Sequence, residues 1–205
     1  MNLAVALTAF LLIVPVELPD KTFIATLVLA TRYRPLMVWL GVGAAFLVQT
    51  LIAVTAGGLL AQLPRTPVTI AAGLLFLAGA ILLWRSARTA DADEAETEEE
   101  FEGKVKGRAT GLRAAGASFL VLFLAEWGDL SQLLTAGLVV QFQDPVSVFV
   151  GAWLALLLVS GLGALLGKAL LARIRLATVQ RIGATVCLLM AVLVALELAG
   201  VGLPI

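Results

Sequence analysis

Two groups of charged and hydroxyl residues interrupt long apolar stretches of this chain. The first motif is Glu17-Leu18-Pro19-Asp20-Lys21-Thr22, and the second motif is Glu126-Trp127-Gly128-Asp129-Leu130-Ser131. Glutamate, aspartate and a hydroxyl residue recur at the same positions of both motifs, 109 residues apart (17 to 126). An Asp or Lys at the centre of a bilayer costs about 2.5–3.5 kcal/mol on insertion scales, so such residues are rare and usually functional. Two motifs in one register therefore predict a site.

The spacing of the acidic residues brings carboxylates together. Glu17 and Asp20 are three residues apart, as are Glu126 and Asp129, so on a helix each pair shares one face. If the two motif helices meet, four carboxylates converge. Neutral oxygens are added to them by Thr22, Ser131 and Gln132. This all-oxygen donor set suits Mg²⁺, Ca²⁺ or Mn²⁺.

Crowding of these acids predicts exchange chemistry. Four neighbouring carboxylates would not all stay ionised in an empty site, because burial and like charge both favour the protonated form. Cation binding should then expel protons, which makes proton/cation antiport the hypothesis. Lys21 has two interpretations: a counter-charge that stabilises the empty acidic cluster, or a competitor that displaces the cation from a carboxylate.

Composition indicates a membrane protein. Of the 205 residues, 61% are hydrophobic and only 14% are charged, which is not the composition of a soluble domain. The chain has no His and one cysteine, Cys187, so the ligands of imidazole- and thiolate-based zinc or copper sites are missing. No nucleophile–base pair is visible, which argues against an enzyme. The lipid bilayer is the expected partner, with no nucleic acid and no cofactor.

Six membrane-spanning helices are expected from the apolar stretches. They lie at about 3–30, 36–60, 68–84, 114–140, 146–166 and 182–201. Pro15 and Pro19 lie inside the first span, where each removes a backbone donor and clashes with the preceding turn. The two motif helices, first and fourth, are therefore predicted to be broken or kinked near the midplane. A signal peptide is the competing interpretation of residues 3–30, but no Lys or Arg precedes the apolar stretch.

Repetition and charge predict the arrangement of the spans. Glycines recur at an offset of 110 residues in three pairs, Gly41/Gly151, Gly57/Gly167 and Gly73/Gly183. We expect an all-α membrane protein of two three-helix repeats, residues 1–85 and 114–205, joined by an acidic and basic linker, 86–113. Three spans per half give the repeats inverted orientations, as in transporters whose site lies at the midplane.

The basic residues predict the orientation in the membrane. Leaving out Lys21, twelve Lys and Arg lie on the side of the linker, and only Arg65 lies on the other side. The positive-inside rule then places the linker in the cytoplasm and both termini outside, in a multi-pass protein of the plasma (inner) membrane. The acidic run Asp91–Glu102 has the composition of a disordered, solvated segment.

The pattern Glu-x-Gly-Asp-Lys/Arg-Thr/Ser, once in each half of a six-span chain, resembles the GDT family of Ca²⁺/Mn²⁺:H⁺ exchangers. That family includes Golgi exchangers and bacterial Mn²⁺ exporters. The resemblance covers essentially the whole chain, and it implies cation-binding roles for Glu17, Asp20, Thr22, Glu126, Asp129, Ser131 and Gln132. The chain departs from the family pattern at Pro19 (usually Gly), Phe23 (often Gln) and Leu130 (usually Lys or Arg).

The leading functional hypothesis is a secondary transporter that exchanges a divalent cation, Mn²⁺ or Ca²⁺, for protons and exports the metal from the cytoplasm. An exporter of a small organic solute is the alternative within transport, although paired carboxylates provide no group that would recognise an organic anion. A non-transporting membrane assembly factor is the alternative from another class. It would not need four acids within the membrane, where each is costly.

Overall fold

The computed structural model of the protein is all-helical across its described residues. It describes residues 1–18, 21–89, 99–101, 103, 110–171 and 176–199. Eight helices of twelve residues or more lie within these ranges: α1 (Leu3–Glu17), α2 (Lys21–Arg32), α3 (Pro35–Leu60), α4 (Arg65–Ser86), α5 (Leu112–Ala125), α6 (Leu130–Phe142), α7 (Pro145–Leu171) and α8 (Leu176–Leu198). Asp20 and the side chain of Lys21 lie outside the description.

Four helices, α3, α4, α7 and α8, are long and apolar enough to cross a membrane. The number rises to six if α1 with α2, and α5 with α6, each form one span. The apolar stretches of the sequence therefore predict the helices well, with ends that differ by a few residues. The chain is a multi-pass membrane protein.

The two short helix pairs change direction where the motifs lie. The axis turns by 71° between α1 and α2, and by 73° between α5 and α6. Pro15 lies inside α1, which ends two residues later at Glu17. In the second motif Gly128 has φ +76°, a left-handed conformation that L side chains rarely adopt. Glycine therefore suits the backbone turn between α5 and α6.

The helices α3 and α7 cross in antiparallel orientation and tie the two halves together. Trp39 Nε1 on α3 donates to the Leu157 carbonyl at 2.9 Å, and Trp153 Nε1 on α7 donates to the Gly43 carbonyl at 3.1 Å. Each bond gives the N–H of a half-buried indole a partner and satisfies a second lone pair of the carbonyl. Because water is absent from the bilayer core, an unpaired polar group is costly there, and these hydrogen bonds offset that cost.

Each of these long helices also packs against the first helix of the other half. A side chain at Gly41 on α3 would collide with the Ala115 carbonyl of α5, and one at Gly151 on α7 would collide with the Ala6 carbonyl of α1. Glycine thus permits two close backbone approaches at matching places. Each of these helix pairs has a second contact. Gln49 of α3 contacts Phe123 of α5, and Ser147 of α7 contacts Asn2 at the start of α1, so the two helices of each pair run parallel.

The helices α4 and α8 form an antiparallel pair on one side of α1 and α6. A Cβ at Gly73 would lie 2.9 Å from Val194 Cγ1, and one at Gly79 would lie 3.6 Å from Cys187 Sγ. A Cβ at Gly183 of α8 would lie 2.7 Å from the Pro15 carbonyl of α1. Phe76 of α4 packs against Gly137 of α6. Small residues therefore set the close spacing of these helices, as is common in membrane bundles.

One linker residue is part of the packed interior. Residues 99–101 are helical, and Phe101 is 2% exposed within the main hydrophobic cluster. Neighbouring Glu99 is exposed. The acidic residues 91–98 lie outside the described residues, so the predicted disorder of that stretch stays a prediction. Phe101 is an anchor that the acidic composition of the segment concealed.

Candidate cation site at the helix breaks

The first motif places a carboxylate and a hydroxyl in the protein interior. Glu17 is the last residue of α1 and is 1% exposed, although it is ionisable. Thr22 lies in the first turn of α2 and is fully buried. Its Oγ1 has no hydrogen-bond partner among the described residues. A buried hydroxyl without a protein partner retains its capacity to bind a ligand.

The second motif is described completely. Glu126 is the C-terminal cap of α5 and is 5% exposed. Its backbone N–H donates to the Leu122 carbonyl at 3.0 Å, which closes the last turn of the helix. Its own carbonyl accepts from Gln132 Nε2 at 2.5 Å and from the Asp129 N–H at 3.3 Å. The backbone of Glu126 is therefore held from both sides of the break.

Asp129 is the N-terminal cap of α6. Its Oδ2 accepts hydrogen bonds from the Ser131 N–H and from Ser131 Oγ, both at 3.3 Å. A carboxylate at this position satisfies free N–H groups and interacts favourably with the positive end of the helix dipole. Asp129 is half-buried. Its bonds to Ser131 show that one function of this acid is to cap the N-terminus of α6. The cap leaves its other oxygen, Oδ1, for further contacts.

Equivalent hydrogen bonds follow the two motifs. Thr26 Oγ1 donates to the Thr22 carbonyl, and Thr135 Oγ1 donates to the Ser131 carbonyl, each at 2.7 Å. The sequence match between these threonines thus corresponds to equal local structure. Leu130, where the first motif has Lys21, packs beside Gly79 on α4. An apolar residue at this position joins the second motif to the α4–α8 pair.

Gln49 is a site residue that the motif search did not include. It lies within the apolar helix α3, is 2% exposed, and its Nε2 donates to the Phe123 carbonyl at 3.1 Å. Phe123 is in the last turn of α5, whose final carbonyls have no partner within the helix. A lone amide inside an apolar span was the signal in the sequence. Its contact with the second motif required the fold.

The described carboxylates do not by themselves make a metal cluster. Within the described residues, no group of three or more Asp, Glu, Cys or His side chains is placed to hold a metal ion. Glu17, Glu126 and Asp129 therefore need another ligand if they are to act together, and Asp20 is outside the description. The donors that are present are carboxylate, hydroxyl, amide and carbonyl oxygens, which suit hard divalent cations.

Comparison with known proteins identifies the family. The sequence model described as "Divalent cation/proton antiporter GDT1" matches residues 5–91 and 114–200. The chain is 35% identical over 196 residues to GDT1-like protein sll0615 of Synechocystis sp., covering 91% of this chain and 95% of that protein. It is 29% identical over 191 residues to GDT1-like protein 3 of Arabidopsis thaliana, covering 86% of this chain and 65% of the relative.

Protein PAM71, chloroplastic, of Arabidopsis thaliana is 30% identical over 163 residues, which cover 71% of this chain and 44% of that protein. No solved structure matches the chain significantly. The family model covers most of both halves, and the sequence resemblance is confirmed. The chain belongs to the GDT1 family of divalent cation/proton antiporters, a family of transporters and not of enzymes.

Proposed function

We propose that this protein exchanges a divalent cation, Mn²⁺ or Ca²⁺, for protons and exports the metal from the cytoplasm across the plasma (inner) membrane. The observation that carries the proposal is the burial of Glu17 and Glu126 at the two places where the helices break. An acid inside a membrane is costly and is usually retained for function. Membership of an antiporter family supports the same reading.

The exchange follows from the properties of the donor groups. We propose that Glu17, Asp20, Glu126 and Asp129 bind the cation together, with Thr22, Ser131 and Gln132 as neutral oxygen donors. Without a cation, repulsion and burial favour protons on some of these carboxylates. A divalent cation favours the ionised forms, so its entry releases protons and protonation releases it. Lys21 is the counter-charge of the first motif.

We infer that the two halves are inverted repeats with six spans, two of them broken at the motifs. The helix directions support this arrangement. α3 is parallel to α5 and antiparallel to α7, while α1 is parallel to α7, so α1 and α5 point in opposite directions. The matching glycine contacts of Gly41 and Gly151 support the same relation. The excess of basic residues supports a cytoplasmic linker and termini outside.

Access to the site is proposed to alternate by movement of the α4–α8 pair. This pair packs against α1 and α6, the helices on the terminus side of the two breaks. The described parts of α2 and α5, on the linker side, make no comparable packing with it. We infer that the pair covers the terminus side of the site in this arrangement. Movement of the pair toward α2 and α5 would reverse the access.

Transport in proteoliposomes tests the proposal. The purified protein should move protons against Mn²⁺ or Ca²⁺ at a fixed pH gradient, with Mg²⁺ as the third cation compared. A proton flux that depends on none of these cations would contradict the exchange. Export of an organic solute without a divalent cation would favour the alternative transporter class.

Glu126→Gln should abolish exchange in the same vesicles while leaving expression and folding largely intact. The charge that binds the cation is lost, whereas the backbone bonds of residue 126 remain possible. Glu197→Gln is the matched control, because Glu197 lies near the end of α8, where its carboxylate accepts from Gln141 Nε2 at 2.6 Å. Exchange at the normal rate by Glu126→Gln would remove Glu126 from the site.

A further inference from the structure

Hydroxyl side chains in these helices generally bond to their own backbone. Oγ atoms donate to the carbonyl four residues earlier at Thr8, Thr26, Thr55, Ser118, Thr135 and Thr185. Such a bond satisfies the hydroxyl inside a membrane without any other helix. Thr50 in the middle of α3 differs. It is 1% exposed, and its Oγ1 has no hydrogen-bond partner in the described part of the chain.

The helix itself does not impose this state on Thr50. Residue 46 is four positions earlier in the same continuous helix, so an acceptor carbonyl is present. Thr22, the other buried threonine without a partner, lies in the first turn of α2, where the preceding helical carbonyl is absent. A buried polar group without a partner is unfavourable and calls for an explanation, such as a ligand that binds there.

Two contacts place the break of the second motif beside α3. Gln49, its neighbour in the chain, donates to the Phe123 carbonyl at 3.1 Å, three residues before Glu126. Further along α3, a Cβ at Gly57 would lie 2.7 Å from the Ala136 carbonyl of α6. The break between α5 and α6 therefore lies beside α3 between these two contacts. Thr50 lies seven residues (50 to 57), or about two helical turns, before Gly57, so it shares the face of α3 that contacts α6.

The buried residues of this stretch offer few polar groups. Between Gln49 and Gly57, α3 buries Thr50, Ala53 and Val54. Only the threonine among these three has a side chain able to bind a cation. Its hydroxyl is thus a neutral oxygen on the side of α3 that contacts α6, in addition to the amide oxygen of Gln49.

The other half of the molecule lacks the same arrangement. Ser160, 110 residues after Thr50 (50 to 160), donates to the Leu157 carbonyl at 3.2 Å. Val159 occupies the position that corresponds to Gln49, and it packs in an apolar cluster with Leu18 and Phe23. The hydroxyl of α7 is occupied by its own helix, and the first motif is approached by apolar atoms. Among the described residues, the long helix beside the second motif therefore offers a hydroxyl without a partner, and the matching helix of the other half does not.

We propose that Thr50 is a further ligand of the transported divalent cation, which its hydroxyl oxygen binds together with the carboxylates of the second motif. This proposal rests on the proposed cation exchange. A threonine oxygen is a hard, neutral donor that suits Mn²⁺ or Ca²⁺ and adds no negative charge to a motif that already lacks a lysine. The cation would supply the partner that the described residues do not give this hydroxyl.

The full-length protein with Thr50→Val, in detergent or nanodiscs, tests the assignment. Titration calorimetry with Mn²⁺ and with Ca²⁺ should show a dissociation constant raised at least about tenfold, the loss typical of disturbing a metal ligand shell. Thr50→Ser should bind like the wild type. Thr55→Val is the matched control, because that exposed hydroxyl already donates to the Leu51 carbonyl at 2.7 Å.

The melting temperature without cation separates a ligand from a structural group. Thr50→Val should melt at the same temperature as the wild type or higher, because valine replaces an unpaired hydroxyl with an apolar group of similar shape. A lower melting temperature together with weaker binding would assign the hydroxyl a structural role and overturn the proposal. Unchanged binding by Thr50→Val, or loss of binding by Thr50→Ser, would also overturn it. A wild-type protein that binds neither cation would overturn the proposed exchange as well.

Discussion

At the scale of single residues, the second motif depends on backbone atoms as much as on its acids. The Glu126 carbonyl accepts from Gln132 and from the Asp129 N–H, while Gln49 holds the carbonyl of Phe123. These bonds satisfy groups that the end of α5 leaves without a helical partner. A helix break inside a membrane is stable only if such groups are paired. Gln49 and Gln132 thus stabilise the end of α5 at which Glu126 lies.

The conformation of Gly128 predicts a graded response to substitution. Gly128→Ala should destabilise the protein by about 1–2 kcal/mol, the cost of a left-handed conformation for an L residue. Gly128→Asn should cost less, because asparagine visits this region more readily. Open space surrounds the position, so the effect is one of backbone and not of packing. Thermal unfolding of the purified variants measures it.

Gly116→Ala is the control for this series. Gly116 lies inside α5 with nothing near its missing side chain, and its φ is not positive. Alanine favours a helix over glycine by up to about 1 kcal/mol, so this variant should be as stable as the wild type or more stable. Equal loss of stability in Gly116→Ala and Gly128→Ala would contradict the conformational explanation.

Asp144 predicts a dependence of stability on pH outside the membrane. Hydrogen bonds from the Ser147 hydroxyl, at 2.5 Å, and from the Ser147 N–H, at 3.1 Å, lower the pKa of Asp144 below its ordinary value of 3.8. Because the pKa of this carboxyl group is lower in the folded than in the unfolded protein, its charge stabilises the fold at pH values above the unfolded pKa. This stabilisation is lost as the pH falls through the folded pKa. The charged carboxylate therefore stabilises the connection between α6 and α7 at neutral pH.

Asp144→Asn should lower the melting temperature at pH 7, and this effect should become smaller as the pH falls below 3.8. The wild-type carboxyl group is becoming protonated at the acid end, so the difference between the two proteins should shrink there. Melting curves of both proteins from pH 3 to pH 7 measure this. A difference that is constant over the range would show that the charge of Asp144 is not involved.

At the scale of elements, the linker is joined to the helical bundle by Phe101. Its side chain is buried in the main hydrophobic cluster, although acidic residues surround it in the sequence. Phe101→Ala should lower stability by about 3 kcal/mol, the cost of removing a buried phenylalanine ring. Thermal unfolding measures the loss, and exposed Glu99→Ala should have almost no effect.

Deletion of residues 91–98 separates the anchor from the acidic run. Because Phe101 remains, the shortened protein should keep substantial exchange activity in proteoliposomes. A disordered acidic run would be dispensable over its whole length, Asp91–Glu102, but the burial of Phe101 limits this expectation to the part before residue 99. Complete loss of exchange by the folded deletion would show that the acidic run acts on transport.

At the scale of the whole molecule, the proposed alternating access requires α4 to move relative to α6. A Cβ at Gly137 would lie 3.9 Å from Ala72 Cβ, which is within the range of disulfides. The pair Ala72→Cys and Gly137→Cys, in a Cys187→Ala background, should therefore cross-link under oxidation. Oxidation should stop exchange in proteoliposomes, and a reductant should restore it.

A cross-link inside the α4–α8 pair is the matched control. A Cβ at Gly79 would lie 3.6 Å from Cys187 Sγ, so Gly79→Cys can pair with the native thiol. If α4 and α8 move as one unit, this disulfide should leave exchange largely unchanged. Full activity of the oxidised 72–137 pair would mean that the contact between α4 and α6 does not open during transport.

The sequence alone allowed several features to be predicted from local properties. Apolar stretches of sufficient length identified the helices, because the bilayer requires long apolar segments with internally paired backbone groups. The two motifs stood out because charged residues are costly within such segments. Pro15 pointed to the end of α1, since proline disturbs the helix around it. These signals depend on residues close together in the chain.

Other features depended on contacts between distant segments. Gln49 lies 74 residues from Phe123, and α3 is apolar around its whole circumference, so its sequence pattern does not show which face meets the second motif. The unpaired hydroxyl of Thr50 and the burial of Phe101 likewise depend on contacts with segments that are distant in the sequence. Only the packing of the helices decided these surroundings, because a membrane helix without a polar face can turn any side toward its neighbours.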